Sequence, residues 1–123
     1  MVPPDQDILV KVKMNDEQGN LTGNMVDISS SGFKAHFKGN VKKRLDEQRE
    51  FPIAHVRFNR DHTMDCSLEA RHVVIDDKGD TQCGFAFTLL SATAQRYLDR
   101  LITEFQWEER RKVEQEKEAL DDG

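Results

Sequence analysis

The sequence predicts a mainly β domain: a small antiparallel barrel of about six strands flanked by one C-terminal amphipathic α-helix. Two observations carry that prediction. Between residues 8 and 89 apolar side chains recur with a period of two, in short runs separated by Gly, Asn, Asp and Ser, the pattern of half-buried strands joined by turns. Between residues 92 and 105 the period becomes three to four, the spacing of one face of a helix. Length adds a bound, because a chain of 123 residues buries roughly two thirds of its unfolded surface around a single core. Short strands followed by one helix satisfy that core when the sheet curls into a barrel and the helix covers it.

Ile8 to Met14 places Val10, Val12 and Met14 on one face and Lys11 and Lys13 on the other, a half-buried strand. A turn at Asn15 to Asn20 leads to Leu21–Ile28, where Gly23 and Asn24 interrupt the pattern but Met25, Val26 and Ile28 favour extended chain. Ser29 to Gly32 breaks the run, and Phe33, Ala35 and Phe37 then alternate with Lys34, His36 and Lys38. Residues 41–50 carry seven charges and two apolar side chains, a surface connection with room for a helical turn but no core face. Phe51 to Phe58 resumes the strand pattern with Ile53, Ala54, Val56 and Phe58, and a turn at Asn59 to His62 opens a long extended run from Thr63 to Ile75. The hairpin signal Asp76-Asp77-Lys78-Gly79-Asp80 precedes Thr81 to Leu89, with Cys83, Phe85, Phe87 and Leu89 facing inward. Tyr97, Leu98, Leu101, Ile102 and Phe105 form the helix stripe, with Ser91 or Thr93 as N-cap. The domain is therefore expected over residues 1–107, with 108–123 as a charged helical extension or tail.

Composition narrows the function classes. Eighteen Lys+Arg against 23 Asp+Glu give a formal net charge of -5, which argues against a DNA or RNA partner. No run of about 18 apolar residues is present to insert into a membrane, and the first residues have neither a basic nor an apolar secretion signal. A cytoplasmic protein is expected. Cys66 and Cys83 are read as reduced core thiols, and the four histidines are scattered, with His36 and His55 on polar strand faces, so no metal site is expected. No nucleophile elbow, phosphate-cradling glycine loop or His-x-x-x-His helix points to an enzyme.

One local constellation remains: Asp27-Ile28-Ser29-Ser30-Ser31-Gly32, between two strands. Asp, Ser and Gly serve turns through side-chain-to-backbone bonds and backbone freedom. The same carboxylate at a strand end suits two N–H donors on the edge of a guanine, with the Ser29 hydroxyl beside it and Gly32 permitting close approach. This segment resembles the Asp/Asn-x-Ser-x-x-Gly signature of the PilZ domain family, bacterial receptors of cyclic di-GMP. Gly32-Phe33, Gly84-Phe85-Ala86-Phe87 and the helix from Ala92 continue the likeness, which spans roughly residues 5–111. The resemblance implies a six-stranded antiparallel PilZ-type barrel with a closing helix. It also implies a cyclic di-GMP site at Asp27, Ser29 and Gly32, with Arg71 and His72 near the nucleotide and His72 placed to stack on a base.

The family's other signature, Arg-x-x-x-Arg, has no counterpart here, since no arginine precedes Arg44. Met1-Val2-Pro3-Pro4 looks like the aliphatic-proline stretch that follows the motif in flagellar-brake-like members. Either Met1 begins a fragment cut at the binding arm, or the chain is a degenerate adaptor that binds pilus or flagellar machinery without nucleotide. Two lost arginine–phosphate bonds weaken binding by about 3–6 kcal/mol, a hundred- to ten-thousand-fold, and Asp5 and Asp7 add negative charge nearby. The chain itself is therefore expected to bind cyclic di-GMP weakly. Lys38, Lys42, Lys43, Arg44 and Arg49 form the basic stretch open to a phosphate, with solubility as its other role. The resemblance implies outputs in motility, attachment or polysaccharide production through a protein partner in motility or secretion machinery. Phe105, Val113 and Leu120, near heptad spacing, leave pairing of two copies through the helix open.

Overall fold

The computed structural model describes residues 2, 7–15 and 19–121, the side chains at 109 and 111–121 excepted. The expectations placed on Met1, Pro3, Pro4 and Asp5, and on the side chains of Val113 and Leu120, lie outside the described residues. Six strands, β1 (Leu9–Val12), β2 (Leu21–Ile28), β3 (Gly32–Phe37), β4 (Glu50–Arg57), β5 (Thr63–Ile75) and β6 (Thr81–Leu89), form a closed barrel in the order β1-β2-β3-β6-β5-β4. Every pairing is antiparallel. Helix α1 (Lys42–Glu47) links β3 to β4, and α2 (Ala92–Asp121) follows β6.

The inward faces are those the alternation assigns: Val10 and Val12, Phe33, Ala35 and Phe37, Cys83 and Phe85 are all buried. Phe85 is the hub of the core, with ring centroids at 5.3 Å from Phe33, 5.8 Å from Phe51 and 6.2 Å from Phe37. Both cysteines are buried and unpaired, and burial pushes each thiol up to about 12, so they are protonated at neutral pH. Residues 41–50 depart from the expectation of a connection without a core face. Leu45 on α1 is 0% exposed, an apolar plug carried by a six-residue helix whose charged side chains stay outside. Ser91 caps α2, its Oγ accepting the Ala94 N–H at 3.1 Å. The helix packs on the barrel through Leu98 and Phe105, both buried, while Tyr97 lies between Phe58 (5.0 Å) and a stacked His62 (4.8 Å). Phe105 thus belongs to the core rather than to a stripe available to a second copy.

Bulges break the period of two wherever the register shifts, and each reverses the facing of the residues beyond it. β4 gains one residue at Pro52–Ile53, which turns Ile53 outward, 45% exposed. β6 gains Thr88 between Phe87 and Leu89, so Leu89 is 70% exposed instead of facing the core as its spacing predicts. Two further bulges, at Val26 on β2 and Arg71 on β5, shape one outer face of the barrel.

Candidate functional site

β2 steps from Met25 to Asp27 while β3 steps from Ala35 to Lys34, leaving Val26 as the extra residue and turning the Asp27 side chain outward. β5 steps from Ala70 to His72 while β6 steps from Phe85 to Gly84, so Arg71 is extra and both Arg71 and His72 face solvent. The registers then align one row across four strands: Asp27 opposite Lys34, Lys34 opposite Gly84, Gly84 opposite His72. At spacings of about 4.8 Å between strands, a carboxylate, an ammonium, a bare glycine and an imidazole succeed one another on the outer face.

The turn from β2 to β3 closes the upper rim. Ser29 N–H donates to the Gly32 carbonyl (2.8 Å), Ser29 Oγ reaches the same oxygen (3.2 Å) and lies 3.3 Å from Ser31 Oγ, and the Ile28 N–H donates to Asp27 Oδ1 (3.0 Å). Phe87 N–H donates to the Ser31 carbonyl (2.9 Å), tying the turn to β6. Gly32 is obligatory there, because a Cβ would sit 2.0 Å from the Phe85 carbonyl oxygen. Together these residues surround an open depression of about 370 Å³, lined by Asp27, Ser29, Gly32, Lys34, Arg71 and His72 among others, a size that small-molecule sites occupy.

All five residues singled out in the sequence, Asp27, Ser29, Gly32, Arg71 and His72, therefore converge on one surface. Arg71 Nη2 lies 3.4 Å from Glu69 Oε2, one neighbour along the strand face. The basic stretch does not join them. Lys42 pairs with Asp46, Lys43 with Glu47, Arg49 with Asp46, and Arg44 donates to the Gly19 carbonyl. Lys34 and Gly84 join the five, although from the sequence Lys34 reads only as a polar strand position and Gly84 only as part of the motif Gly84-Phe85-Ala86-Phe87. The signal for Lys34 is its place on the polar side of β3, but its alignment with Asp27 and His72 depends on three registers. At the N-terminal end, Val2 is buried and its N–H donates to the Val26 carbonyl (3.3 Å), one residue from Asp27.

Charged residues meet a second time at the other end of β3. His36 Nε2 lies 3.0 Å from Asp80 Oδ2 and 3.8 Å from Asp76 Oδ2, and these three ligand-type atoms lie within 4.8 Å of one another. The remaining oxygens serve backbone: Asp80 Oδ1 accepts Gly39 N–H (2.8 Å), and Asp76 Oδ1 accepts Lys78 N–H (2.9 Å) and Asp80 N–H (3.0 Å). His36, on the polar face of its strand, is half-buried and bonded to Asp80, and the exposed His55 pairs with Asp65. The Gly39 N–H, reinforced by His36, holds the Asp80 carboxyl below its ordinary value.

Among solved structures, the fold is similar to the PilZ domain of YcgR from Escherichia coli with c-di-GMP, at 21% identity and TM-score 0.70 over 92% of each chain. It is also similar to apo MrkH of K. pneumonia, at 17% identity and TM-score 0.77 over 90% of this chain and 50% of that one. A third is the Bacillus subtilis inhibitor of motility MotI, at 14% identity and TM-score 0.64 over 89% and 54%. The chain spans about half the length of MrkH and MotI. No curated protein matches in sequence. The family model for the PilZ domain matches residues 6–104, the whole barrel and the first turns of α2, and the chain belongs to the PilZ domain family.

Proposed function

We propose that this domain is a cyclic di-GMP receptor module of bacterial signalling, acting in the cytoplasm on motility, attachment or exopolysaccharide output without catalysing a reaction. The observation that carries the reading is the cross-strand row that ends in Asp27 and His72, with Ser29, Gly32 and Arg71 at its rim. In this reading the Asp27 carboxylate accepts the N–H donors of a guanine edge, the Ser29 hydroxyl adds a contact, and Gly32 lets the turn approach the ligand. Lys34 and Arg71 supply positive charge toward phosphate, and His72 offers a ring face. The family match and the YcgR domain, which was solved with c-di-GMP, support the ligand class.

The Val2–Val26 bond supports a role for residues at the N-terminal end, because it brings that end of the chain to the rim of the depression. Without an Arg-x-x-x-Arg arm the affinity of this chain is low, and binding in a protein with the arm orders it against the barrel, a disorder-to-order switch that a partner reads. An apolar groove of about 500 Å³ beside Pro52, Ile53, Leu89 and Leu90 supports a protein partner, of pilus, flagellar or secretion machinery, as the reader of that state.

The test is an amide-detected NMR titration of this chain with cyclic di-GMP to millimolar concentration, which registers weak binding. Shifts centred on Asp27, Ser29 and Gly32 are expected. Asp27→Ala should weaken binding on the order of a hundredfold or more, the effect of two charge-assisted hydrogen bonds, at an unchanged melting temperature. Equal affinity of Asp27→Ala and the parent removes the site assignment.

A further inference from the structure

Six glycines are described, and five are required by the fold. Gly19, Gly39 and Gly79 have φ of +85°, +79° and +81°, the left-handed region that side chains disfavour. At Gly23 and Gly32 a Cβ would meet a backbone oxygen at 2.5 Å and 2.0 Å. Gly84 has neither reason. Its φ is not positive, and a Cβ there would meet only the His72 Cβ at 3.7 Å, an ordinary van der Waals contact. A glycine inside a strand weakens it, having no side chain to pack and more chain entropy to lose, and it commonly marks close approach of a ligand or another backbone.

Gly84 stands mid-strand in β6, on the outer face, between Lys34 and His72 in the row that begins at Asp27. Its missing side chain leaves a flat strip of backbone bounded by an ammonium on one side and an imidazole on the other. We propose that Gly84 is a specificity-determining residue of this site: the floor on which a planar heterocycle of the ligand lies, with Lys34 and His72 as its walls. The assignment rests on the receptor reading above. It adds a selection by shape to selection by hydrogen bonding, since a flat ring system fits the strip and a bulky saturated group does not.

Gly84→Ala and Gly84→Val test it with two measurements. Thermal melts come first and need no ligand. Both variants should melt at or above the parent, because a Cβ there makes only an ordinary contact and a strand interior is weakened by glycine. Melting well below the parent would mean that the fold itself needs the glycine, and overturns the proposal. The second measurement is the cyclic di-GMP titration by NMR. Gly84→Val should bind at least about tenfold more weakly than the parent, and Gly84→Ala should fall between. If Gly84→Val titrates like the parent while Asp27→Ala does not, the floor is wrong and the receptor reading stands. If the parent shows no shifts at millimolar ligand, the receptor reading falls and the floor with it.

Discussion

The two ends of the β3–β6 pair hold similar residues and use them in opposite ways. At the end near His36, carboxylates bind the chain to itself. Asp80 joins Gly39 and His36, Asp76 closes its own turn, and Thr81 both donates to the Gly39 carbonyl (2.8 Å) and accepts the Val41 N–H (2.9 Å). At the end near Gly32, bulges on β2 and β5 turn Asp27, Arg71 and His72 to the outside, around an open depression. The same residue types are structural where, as at Asp80, both carboxylate oxygens are taken up by Gly39 and His36, and they reach the outer face where, as at Asp27, register lifts them off the barrel wall.

The largest effect on stability is expected where the two uses meet, at Gly32. Gly32→Ala puts a methyl 2.0 Å from the Phe85 carbonyl oxygen, and the forced shift of β3 from β6 should lower unfolding free energy by about 1–3 kcal/mol, read from urea melts. An unchanged midpoint would show that the turn yields easily and that the glycine serves the ligand alone. Asp80→Asn comes next. Because the folded carboxyl is held below its ordinary value, its contribution is present above the unfolded value near 4 and lost as pH falls through the folded one. The variant should melt lower than the parent at pH 7, with the gap narrowing as pH drops below about 4. Melting curves that stay parallel with pH would remove the structural role of the corner. The smallest effect is at the open end. Glu69→Gln frees Arg71 from an exposed ion pair and should tighten cyclic di-GMP binding by no more than about fivefold. Weaker binding by this variant would mean that Glu69 positions Arg71 rather than competing for it.

How much the sequence reveals depends on how local each feature is. The alternation of Phe33, Ala35 and Phe37 with Lys34, His36 and Lys38 needs no partner to be read, and it matches β3 in the structure. The motif at Asp27, Ser29 and Gly32 is six residues long and carries its own turn chemistry. The bulges at Val26, Arg71 and Thr88 have no comparable signal, since each is set by what two neighbouring strands must bury. That is why the spacing of Leu89 points inward while its side chain emerges outward. Leu45 is a single apolar residue in a six-residue helix, too short to show a period. The contact of His36 with Asp80 joins positions 44 apart in the chain. Lys34 and Gly84 enter the candidate site only through the registers of four strands.

Closure of the barrel has a consequence of another kind. With β1 paired to both β2 and β4, the sheet closes and every strand has a neighbour on both sides, which disfavours templated aggregation through an edge strand. Nor can a strand slide to relay a binding event, because a one-residue slip would turn its buried face to water. Any message the domain passes on must therefore be carried by turns, chain ends and helix α2 moving over a cylinder that keeps its shape.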